Sequence, residues 1–326
     1  ALHLACLALG IGGLDTVWTS ALTFVASANS PAFCGARVDF VDIDETTWNI
    51  SIEKLTEKLE LASVNDDLPS VLIVVHFGGV PCDMVAIDSL RKKYNFRVIE
   101  DASHAMGATY DNYKVGSCAH SDLAVFSFHP VKMITSGEGG CVTTASQYLA
   151  ELVTVYRSHG ITSEIDADYV NEGEIWNYQQ MFLGMNYRMS DIHAALGLSQ
   201  LSKLDSFVET RNAIAQRYVT GLDPSRYQVQ FIPPDYRSSY HLFVIRVKNL
   251  DTQRRVVHYL DSHGVLTNLH YIPVYRQPYW RRRGFPVDYC KSAELYYQTA
   301  VTLPVFVGLG HDTVDQIIEV VNDAPR

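Results

Sequence analysis

The amino-acid sequence predicts an α/β fold with a mostly parallel central sheet, helices on both faces, and a smaller α+β part after it. Two observations predict this fold: short apolar runs alternate with helical periods up to about residue 160, and the pattern changes in the last third of the 326 residues. The predicted strands of the first part are Thr16–Thr19, Arg37–Val41, Ser70–His76, Arg97–Glu100, Leu123–Phe128 and Gly140–Thr144. The predicted helices are Phe24–Phe33, Ile52–Ala62, Met84–Tyr94 and Ser146–Arg157.

The second part follows a loop and a long helical stretch. Ile161–Arg188 is polar and aromatic without periodicity, which predicts a loop of a length that is usually functional or ordered by a partner. Ser190–Leu222 predicts one or two long helices, with Ser190 as a plausible N-cap. Further strands are predicted near Tyr227–Phe231, His241–Val247 and Val265–His270, and helices near Gln253–His263, Lys291–Ala300 and Thr313–Val321. We expect a large domain over 1–210 and a small domain over 211–326.

Composition and charge exclude several classes of protein. The formal net charge of −10 argues against general binding to nucleic acid or to anionic membranes, because both draw affinity from basic surface. No apolar run approaches the length of a membrane span, and Ala1–Gly10 predicts an amphipathic helix inside a fold. The six cysteines form no CxxC pair and do not cluster with histidine, so we expect no metal site and reduced thiols in a cytoplasmic protein.

Lys132 and Asp101 are the first candidates for catalysis. Lys132 follows a β-rich run and precedes a glycine-rich stretch, where its amine can be held desolvated, as a Schiff-base lysine requires. Asp101 ends an apolar strand at the edge where open α/β sheets bind ligands, and its carboxylate could hold a pyridine nitrogen protonated. This pairing is typical of pyridoxal phosphate enzymes. Alternatively, Lys132 is a solvated surface charge and Asp101 is a helix N-cap or turn residue.

Other residues near these two have both a functional and an ordinary interpretation. Ser127 could donate its hydroxyl to a phosphate, and the glycines Gly137, Gly139 and Gly140 could let the backbone approach a ligand or simply form a turn. His104 could lie near a pyridine ring and its oxygen, or be a satisfied semi-buried histidine. Phe24 could stack on the ring face or belong to the core.

Five collinear motifs closely resemble the sugar-nucleotide aminotransferases of the DegT/DnrJ/EryC1/StrS family. They are IEDASHAMGATYDNYKVGS (99–117), AVFSFHPVKMITSGEGGCVTT (124–144), RSHGI (157–161), MNYRMSDIHAALGLSQLSKLDSF (185–207) and NLHYIPVYRQPYW (268–280). The resemblance covers essentially the whole chain and implies the type I, aspartate aminotransferase-like fold with pyridoxal 5′-phosphate as cofactor. Together with SFHPVK (127–132) and ALGLSQL (195–201), the last motif resembles most the branch that makes pseudaminic acid, the UDP-4-amino-4,6-dideoxy-N-acetyl-β-L-altrosamine transaminases.

The resemblance also implies roles for particular residues. Lys132 matches the Schiff-base lysine and Asp101 the partner of the pyridinium nitrogen. The other matches are His104 as a cofactor contact, Ser127 as a phosphate ligand, Phe24 as the aromatic on the ring, Asn186 as a ligand of the neighbouring subunit's phosphate, and His270, Tyr271 and Arg188 on the substrate side. Arg281–Arg283 could neutralise a UDP diphosphate or form a solvated turn.

The implied reaction is transamination of a 4-keto-6-deoxy sugar nucleotide in cell-surface sugar biosynthesis. The expected substrate is UDP-2-acetamido-2,6-dideoxy-β-L-arabino-hex-4-ulose, with L-glutamate as amino donor and a homodimer with shared active sites, which corresponds to EC 2.6.1.92. The alternatives are an aminotransferase for another UDP-, dTDP- or GDP-linked keto sugar and a non-catalytic binding protein. A dehydratase of the same fold is disfavoured, because such enzymes carry histidine in place of Lys132.

One departure from the family concerns the start of the chain. In the family, the helix that matches Ala1–Gly10 is preceded by a turn whose amides and hydroxyl hold the cofactor phosphate at a helix N-terminus. The sequence begins just after that turn. We therefore expect that this chain lacks the family's N-terminal segment and some of its substrate contacts.

Overall fold

The computed structural model describes residues 1–163 and 176–326, and its largest element is a six-stranded sheet. The strand order is β2-β1-β3-β4-β7-β8, and every neighbouring pair is parallel except β7 and β8. The strands are β1 Thr16–Ser20, β2 Arg37–Val41, β3 Val71–Val75, β4 Arg97–Asp101, β7 Leu123–Ser127 and β8 Gly140–Thr143, with the short β5 Thr109–Tyr110 and β6 Tyr113–Lys114 between β4 and β7. All six strands predicted for this part form, within two residues of the predicted ends.

Helices cover both faces of this sheet. They are α1 Leu2–Ala8, α2 Ala26–Phe33, α3 Ile52–Val64, α4 Met84–Tyr94 and α5 Gln147–Tyr156. Side chains at α3, α4 and α5 cap the first turn, because the Ser51, Asp83 and Ser146 oxygens each accept a backbone N–H three residues on. These helices were predicted at these places, and the caps explain where three of them begin.

The alternation of side chains along the central strands produces two separate cores. Leu72 and Val74 of β3 belong to the cluster that includes α3 and α4, whereas Val71 and Ile73 belong to the cluster that includes α1 and α5. Successive residues of a strand point to opposite faces, so a strand buried on both faces is apolar throughout. The apolar run of β3 thus results from having a helical layer on each side.

The remaining elements build a second, smaller sheet with its own helices. The helices are α6 Asp191–Leu201, α7 Leu204–Gly221, α8 Leu250–Ser262, α9 Pro278–Arg281, α10 Lys291–Tyr297 and α11 His311–Asp323. The strands are β9 Ile161–Thr162, β10 Gln179–Gln180, β11 Gln228–Val229, β12 Tyr236–Arg237, β13 Phe243–Arg246 and β14 Ala300–Leu303. The antiparallel sheet has the order β11-β13-β14, whereas β9 pairs with β10 and β12 pairs with β5.

Two predictions in this part were wrong. Val265–His270 does not form a strand: among the described residues of this run only Asn268 bridges to Thr302 of β14, and the chain turns just before it at Gly264, where φ is +77°. The helix predicted to Ala300 ends at Tyr297, and the buried run Ala300–Leu303 is instead β14, which the helical pattern concealed. Within the predicted loop Ile161–Arg188, residues 164–175 lie outside the described residues.

Packing is consistent with the expected division near residue 210, which stays a prediction. Ile214 and Tyr218 of α7 share a buried cluster with β13, β14 and α11. A further cluster spans both parts, since Leu22 and Phe40 pack with Val274, Trp280 and Tyr296. In the part of the chain that the structure describes, no helix is long and apolar enough to cross a membrane, and no group of three or more potential metal ligands occurs.

Candidate active site

A large pocket opens at the carboxyl ends of β4 and β7. Its volume is about 1200 Å³. The register places Asp101 of β4 opposite Val125 of β7, so Asp101 and Ser127 end neighbouring parallel strands. The pocket is lined by, among others, Phe24, Asp101, His104, Ser127, Lys132, Tyr187, Arg188, Met189, His193 and Tyr271. Seven of the nine residues that the sequence marked as site residues therefore meet in one cavity at the expected edge of the sheet.

Asp101 is a buried carboxylate held in a fixed orientation. The residue is only 5% exposed. The Ser27 hydroxyl donates to Oδ2 at 2.7 Å, and the Ser103 hydroxyl donates to Oδ1 at 2.6 Å. The Ser103 backbone N–H also reaches Oδ1, at 3.2 Å. Three donors around one carboxylate hold its position.

Lys132 lies in the loop after β7, on the same pocket wall. Its backbone N–H donates to the His129 carbonyl at 2.9 Å, which fixes the turn that carries the side chain. Burial lowers the pKa of the Lys132 amine, while the Asp101 carboxylate acts in the opposite direction. A lowered pKa means that more of the amine is unprotonated at neutral pH, which is the nucleophilic form.

His104 is buried, and each of its ring nitrogens has a hydrogen-bond partner. Gly78 N–H points at Nδ1 at 3.4 Å, and the Tyr271 hydroxyl lies 3.0 Å from Nε2. Burial lowers the pKa of His104 well below its ordinary value, and Lys132 and His241 lower it further. His104 is therefore a neutral imidazole at neutral pH.

Two aromatic rings border the pocket near its mouth. Phe24 is 56% exposed, which excludes the interpretation that it belongs to the core. Its ring lies 5.9 Å from the ring of Tyr271, measured between centroids. The two rings offer an apolar surface next to Asp101 and Lys132, suited to a flat aromatic ligand.

The turn before β8 brings the backbone close to the pocket. A Cβ atom on Gly139 would lie 2.5 Å from Met189 Cε and 2.6 Å from Ser136 Oγ, and its φ is +152°. Only glycine fits this position without displacing its neighbours. Ser127 lies opposite, at the end of β7, where its Oγ accepts the His129 backbone N–H at 3.4 Å.

Two of the sequence-marked residues lie outside the pocket lining as far as the described residues define it. Asn186 is exposed and forms an isolated antiparallel β-bridge with Ser158. His270 is half-buried, and its Nδ1 lies 3.0 Å from Thr302 Oγ1. The Arg281–Arg283 triplet is also not part of the lining in the described structure: Arg283 lies over the Tyr279 ring at 4.7 Å, in keeping with its interpretation as a surface turn.

Sequence reasoning missed several residues that support the site. Ser27 holds Asp101, although it is 74 positions away in the chain. His241 packs against His104 with ring centroids 4.5 Å apart, and its buried Nδ1 has no hydrogen-bond partner among the described residues. The one sequence feature that could have identified Ser27 is its position one helical turn after Phe24. No local sequence feature identifies His241 as a site residue.

The side chains present fit a planar aromatic aldehyde that carries a phosphate. The lysine amine, the fixed carboxylate and the aromatic border match the aldehyde, the ring nitrogen and the ring faces of pyridoxal phosphate. The Ser127 hydroxyl and the Arg188 side chain offer a donor and a positive charge for anionic groups. This fit rests on the pocket itself and does not depend on any related protein.

Residues 1–322 match the DegT/DnrJ/EryC1/StrS aminotransferase family, and the chain belongs to this family. It is 36% identical to the spore coat polysaccharide biosynthesis protein SpsC of Bacillus subtilis, over 99% of this chain and 82% of SpsC. It is also 36% identical to the UDP-4-amino-4,6-dideoxy-N-acetyl-β-L-altrosamine transaminase of Campylobacter jejuni, over 93% of this chain and 77% of the relative.

A solved structure extends the comparison to the fold. Spr1654 of Streptococcus pneumoniae, a proposed sugar aminotransferase solved in its PLP form, superposes with a TM-score of 0.86 at 27% identity, over 99% of this chain and 83% of Spr1654. The predicted fold class, the α/β fold of pyridoxal phosphate-dependent sugar aminotransferases, is confirmed, and so is the predicted family with its cofactor.

Proposed function

We propose that this protein is a pyridoxal phosphate-dependent enzyme that aminates a 4-keto-6-deoxy sugar nucleotide. One observation carries the proposal: the Lys132 amine, with its pKa lowered by burial, shares one pocket with the carboxylate of Asp101, which three donors hold in place. The cofactor, when bound, supplies the electron sink that makes a carbon-bound proton acidic. The chain supplies the groups that bind, orient and move protons around it.

Each residue of the pocket has a proposed task. Lys132 would hold the cofactor through its aldehyde carbon, and its free amine would accept the proton from the α-carbon of the amino donor. Asp101 keeps the ring nitrogen protonated, and Ser27 and Ser103 keep Asp101 in place. Phe24 packs on the ring face, Ser127 binds the phosphate, and Arg188 and Tyr271 face the substrate.

The finer proposal for the substrate is UDP-2-acetamido-2,6-dideoxy-β-L-arabino-hex-4-ulose, with L-glutamate as donor, as in EC 2.6.1.92. The Campylobacter jejuni relative supports it by its name and by 36% identity. The second candidate is a different 4-keto sugar nucleotide, which is favoured by the equal identity to SpsC, a spore coat polysaccharide protein. The two candidates differ in the sugar and share the chemistry at Lys132.

We further propose a homodimer whose subunits complete each other's sites. Every residue of α6 is at least partly exposed, and its apolar side chains include Ile192 at 83% and Leu198 at 72%. Several exposed apolar side chains on one helix are typical of a protein interface. Asn186 is exposed just before this helix and could reach the phosphate in a second copy. A cytoplasmic location is consistent with six cysteines that are all unpaired.

The proposal is tested by spectroscopy and then by a substrate panel. Adding pyridoxal phosphate to the purified protein should produce a visible absorbance band, which L-glutamate should bleach. UDP-, dTDP- and GDP-linked 4-keto sugars are then added one at a time, and one of them should restore the visible band more effectively than the others. Absence of the band would contradict the enzyme proposal and favour a binding protein. A preference for another nucleotide would contradict only the substrate.

A further inference from the structure

Both ring nitrogens of His104 already have hydrogen-bond partners in the described structure. Gly78 N–H points at Nδ1, and Nε2 lies 3.0 Å from the Tyr271 hydroxyl. The resemblance assigns His104 a contact with the cofactor. Because both nitrogens are already used, any such polar contact has to pass through the residue at Nε2, which is Tyr271.

The direction of these hydrogen bonds follows from the backbone donor. An N–H group points at Nδ1, so Nδ1 must be the unprotonated nitrogen of the ring. A neutral imidazole then carries its proton on Nε2, and burial keeps His104 neutral by lowering its pKa. Nε2–H therefore donates to the oxygen of Tyr271, which leaves the hydroxyl proton of Tyr271 for another acceptor.

Tyr271 is placed to use that proton inside the pocket. It lines the cavity together with Asp101 and Lys132. Burial and the Asp101 carboxylate raise the pKa of Tyr271, so its hydroxyl stays protonated at neutral pH. Its ring packs against Phe24 at 5.9 Å and Phe77 at 6.3 Å, which restricts where the hydroxyl can point.

His104 itself is held by a segment of the second half of the chain. The Ser239 hydroxyl donates to the His104 carbonyl at 2.7 Å, and the His241 ring packs 4.5 Å from the His104 ring. A Cβ on Gly79 would lie 2.4 Å from Ser239 Oγ, so the two segments touch closely. His104 is thus fixed from behind, and its Nε2 faces Tyr271.

We propose that the Tyr271 hydroxyl donates a hydrogen bond to an oxygen atom of the molecule bound beside Lys132, and that His104 is a positioning residue that orients this hydroxyl. The acceptor is either the phenolic oxygen on the cofactor ring or the carbonyl oxygen of the keto sugar. Both oxygens are hydrogen-bond acceptors, so the same hydroxyl donor suits either. This inference rests on the proposed function and deepens it.

A double-mutant cycle tests the coupling of the two residues. Tyr271→Phe removes the donor, His104→Leu removes its support, and the double variant removes both. Each single variant should weaken the affected step about tenfold, the worth of a hydrogen bond to a partly charged group. The double variant should be no worse than either single variant, because both act through one hydrogen bond. His104→Gln should restore most of the loss, since its amide nitrogen replaces Nε2 as donor.

Two measurements distinguish the acceptors. If the acceptor is the cofactor oxygen, the dissociation constant for pyridoxal phosphate rises in Tyr271→Phe without any sugar present. If it is the sugar carbonyl, that constant is unchanged and only single-turnover amination of the keto sugar slows. Tyr227→Phe, which removes a buried hydroxyl bound to the Val321 carbonyl far along the chain, is the matched control and should change neither.

The outcomes against the proposal are distinct from failure of the function. If Tyr271→Phe changes neither quantity, or if the two single effects add in the double variant, the assignment is wrong. If wild-type protein gives no visible band with pyridoxal phosphate, the proposed function itself fails and this inference falls with it. Thermal unfolding of each variant shows whether a loss comes from misfolding. If His104→Leu unfolds, the cofactor titration and single-turnover assay of Tyr271→Phe still test the hydroxyl donor.

Discussion

The inner and outer walls of the pocket differ in how completely one chain builds them. On the inner wall, Asp101 has three donors and His104 has two partners, all within the chain. On the outer wall, Tyr187 and Arg188 are exposed and lead into α6, whose apolar side chains face solvent. The groups of the inner wall are therefore held by a single chain, whereas the outer wall leads into an exposed apolar helix, the surface that we propose a second copy covers.

The largest expected effect concerns the inner wall. Lys132→Ala should abolish both turnover and the visible band of bound cofactor, because Lys132 is the only lysine that lines the pocket in the described structure. Absorbance spectra and a transamination assay measure the two effects. Lys248→Ala, an exposed lysine away from the pocket, is the control and should behave as wild type. A band that persists in Lys132→Ala would show that the lysine is misassigned.

The second effect tests the fixed carboxylate. Asp101→Asn should lower kcat by about 100-fold or more, since the negative charge that keeps the ring nitrogen protonated is lost. Cofactor affinity should fall less, because Ser27 and Ser103 can still hydrogen-bond to the amide. Kinetics and a binding titration separate the two quantities. Asp288→Asn, at an exposed site, is the control; equal kcat in both variants would remove Asp101 from the mechanism.

The third effect concerns the outer wall. Ile192→Asp should convert the dimer to monomer and weaken cofactor binding about tenfold, because a charge is placed in the apolar α6 surface and Asn186 no longer reaches a neighbouring site. Light scattering and cofactor titration measure these changes. Val64→Asp, 84% exposed at the end of α3, is a matched control and should leave the mass unchanged. A wild-type protein that is already monomeric would refute the shared-site proposal.

The smallest expected effect concerns His270, whose Nδ1 lies 3.0 Å from Thr302 Oγ1. Burial and the Lys132 charge lower the pKa of His270 to about 4. An unfolded histidine binds its proton near pH 6.5, so the unfolded chain is favoured as the pH falls from 6.5 to 4. At pH 5 this costs at most about 2 kcal/mol of unfolding free energy, a loss that disappears above pH 6.5.

His270→Gln should therefore show a smaller fall in melting temperature between pH 7 and pH 5 than the wild type. The exposed His258→Gln serves as control and should follow the wild-type curve. Identical pH dependence in all three proteins would mean that His270 does not titrate in this range. His104 and His241 also have lowered pKa values and contribute to the remaining fall.

Local pattern and motif order were enough to predict the sheet and the residues at its carboxyl edge. The strands of the first part are short apolar runs bounded by polar turns, and Asp101 and Ser127 stand where two of these runs end. A strand buried on both faces leaves this signature in any context. The choice of Lys132 as the candidate Schiff-base lysine came from its place in a long ordered motif and did not require the structure.

The second half was harder to predict, because its elements depend on distant partners. Val265–His270 has an apolar, β-like composition, yet only Asn268 joins the sheet there. Ala300–Leu303 continues a helical pattern, yet pairs with β13 across more than fifty residues. Strand pairing of this kind is decided by tertiary contacts and not by local propensity.

The sequence by itself determined the family and the cofactor and singled out Lys132 and Asp101 as candidates, since all of these depend on residue types in a fixed order along the chain. Only the tertiary structure decided how those groups are supported. Ser27 reaches Asp101 of β4 from helix α2, and Tyr271 reaches His104 from 167 positions away. Hydrogen-bond direction and burial depend on neighbours in space. Which of His104 and Tyr271 donates the hydrogen bond therefore became evident only from the folded chain.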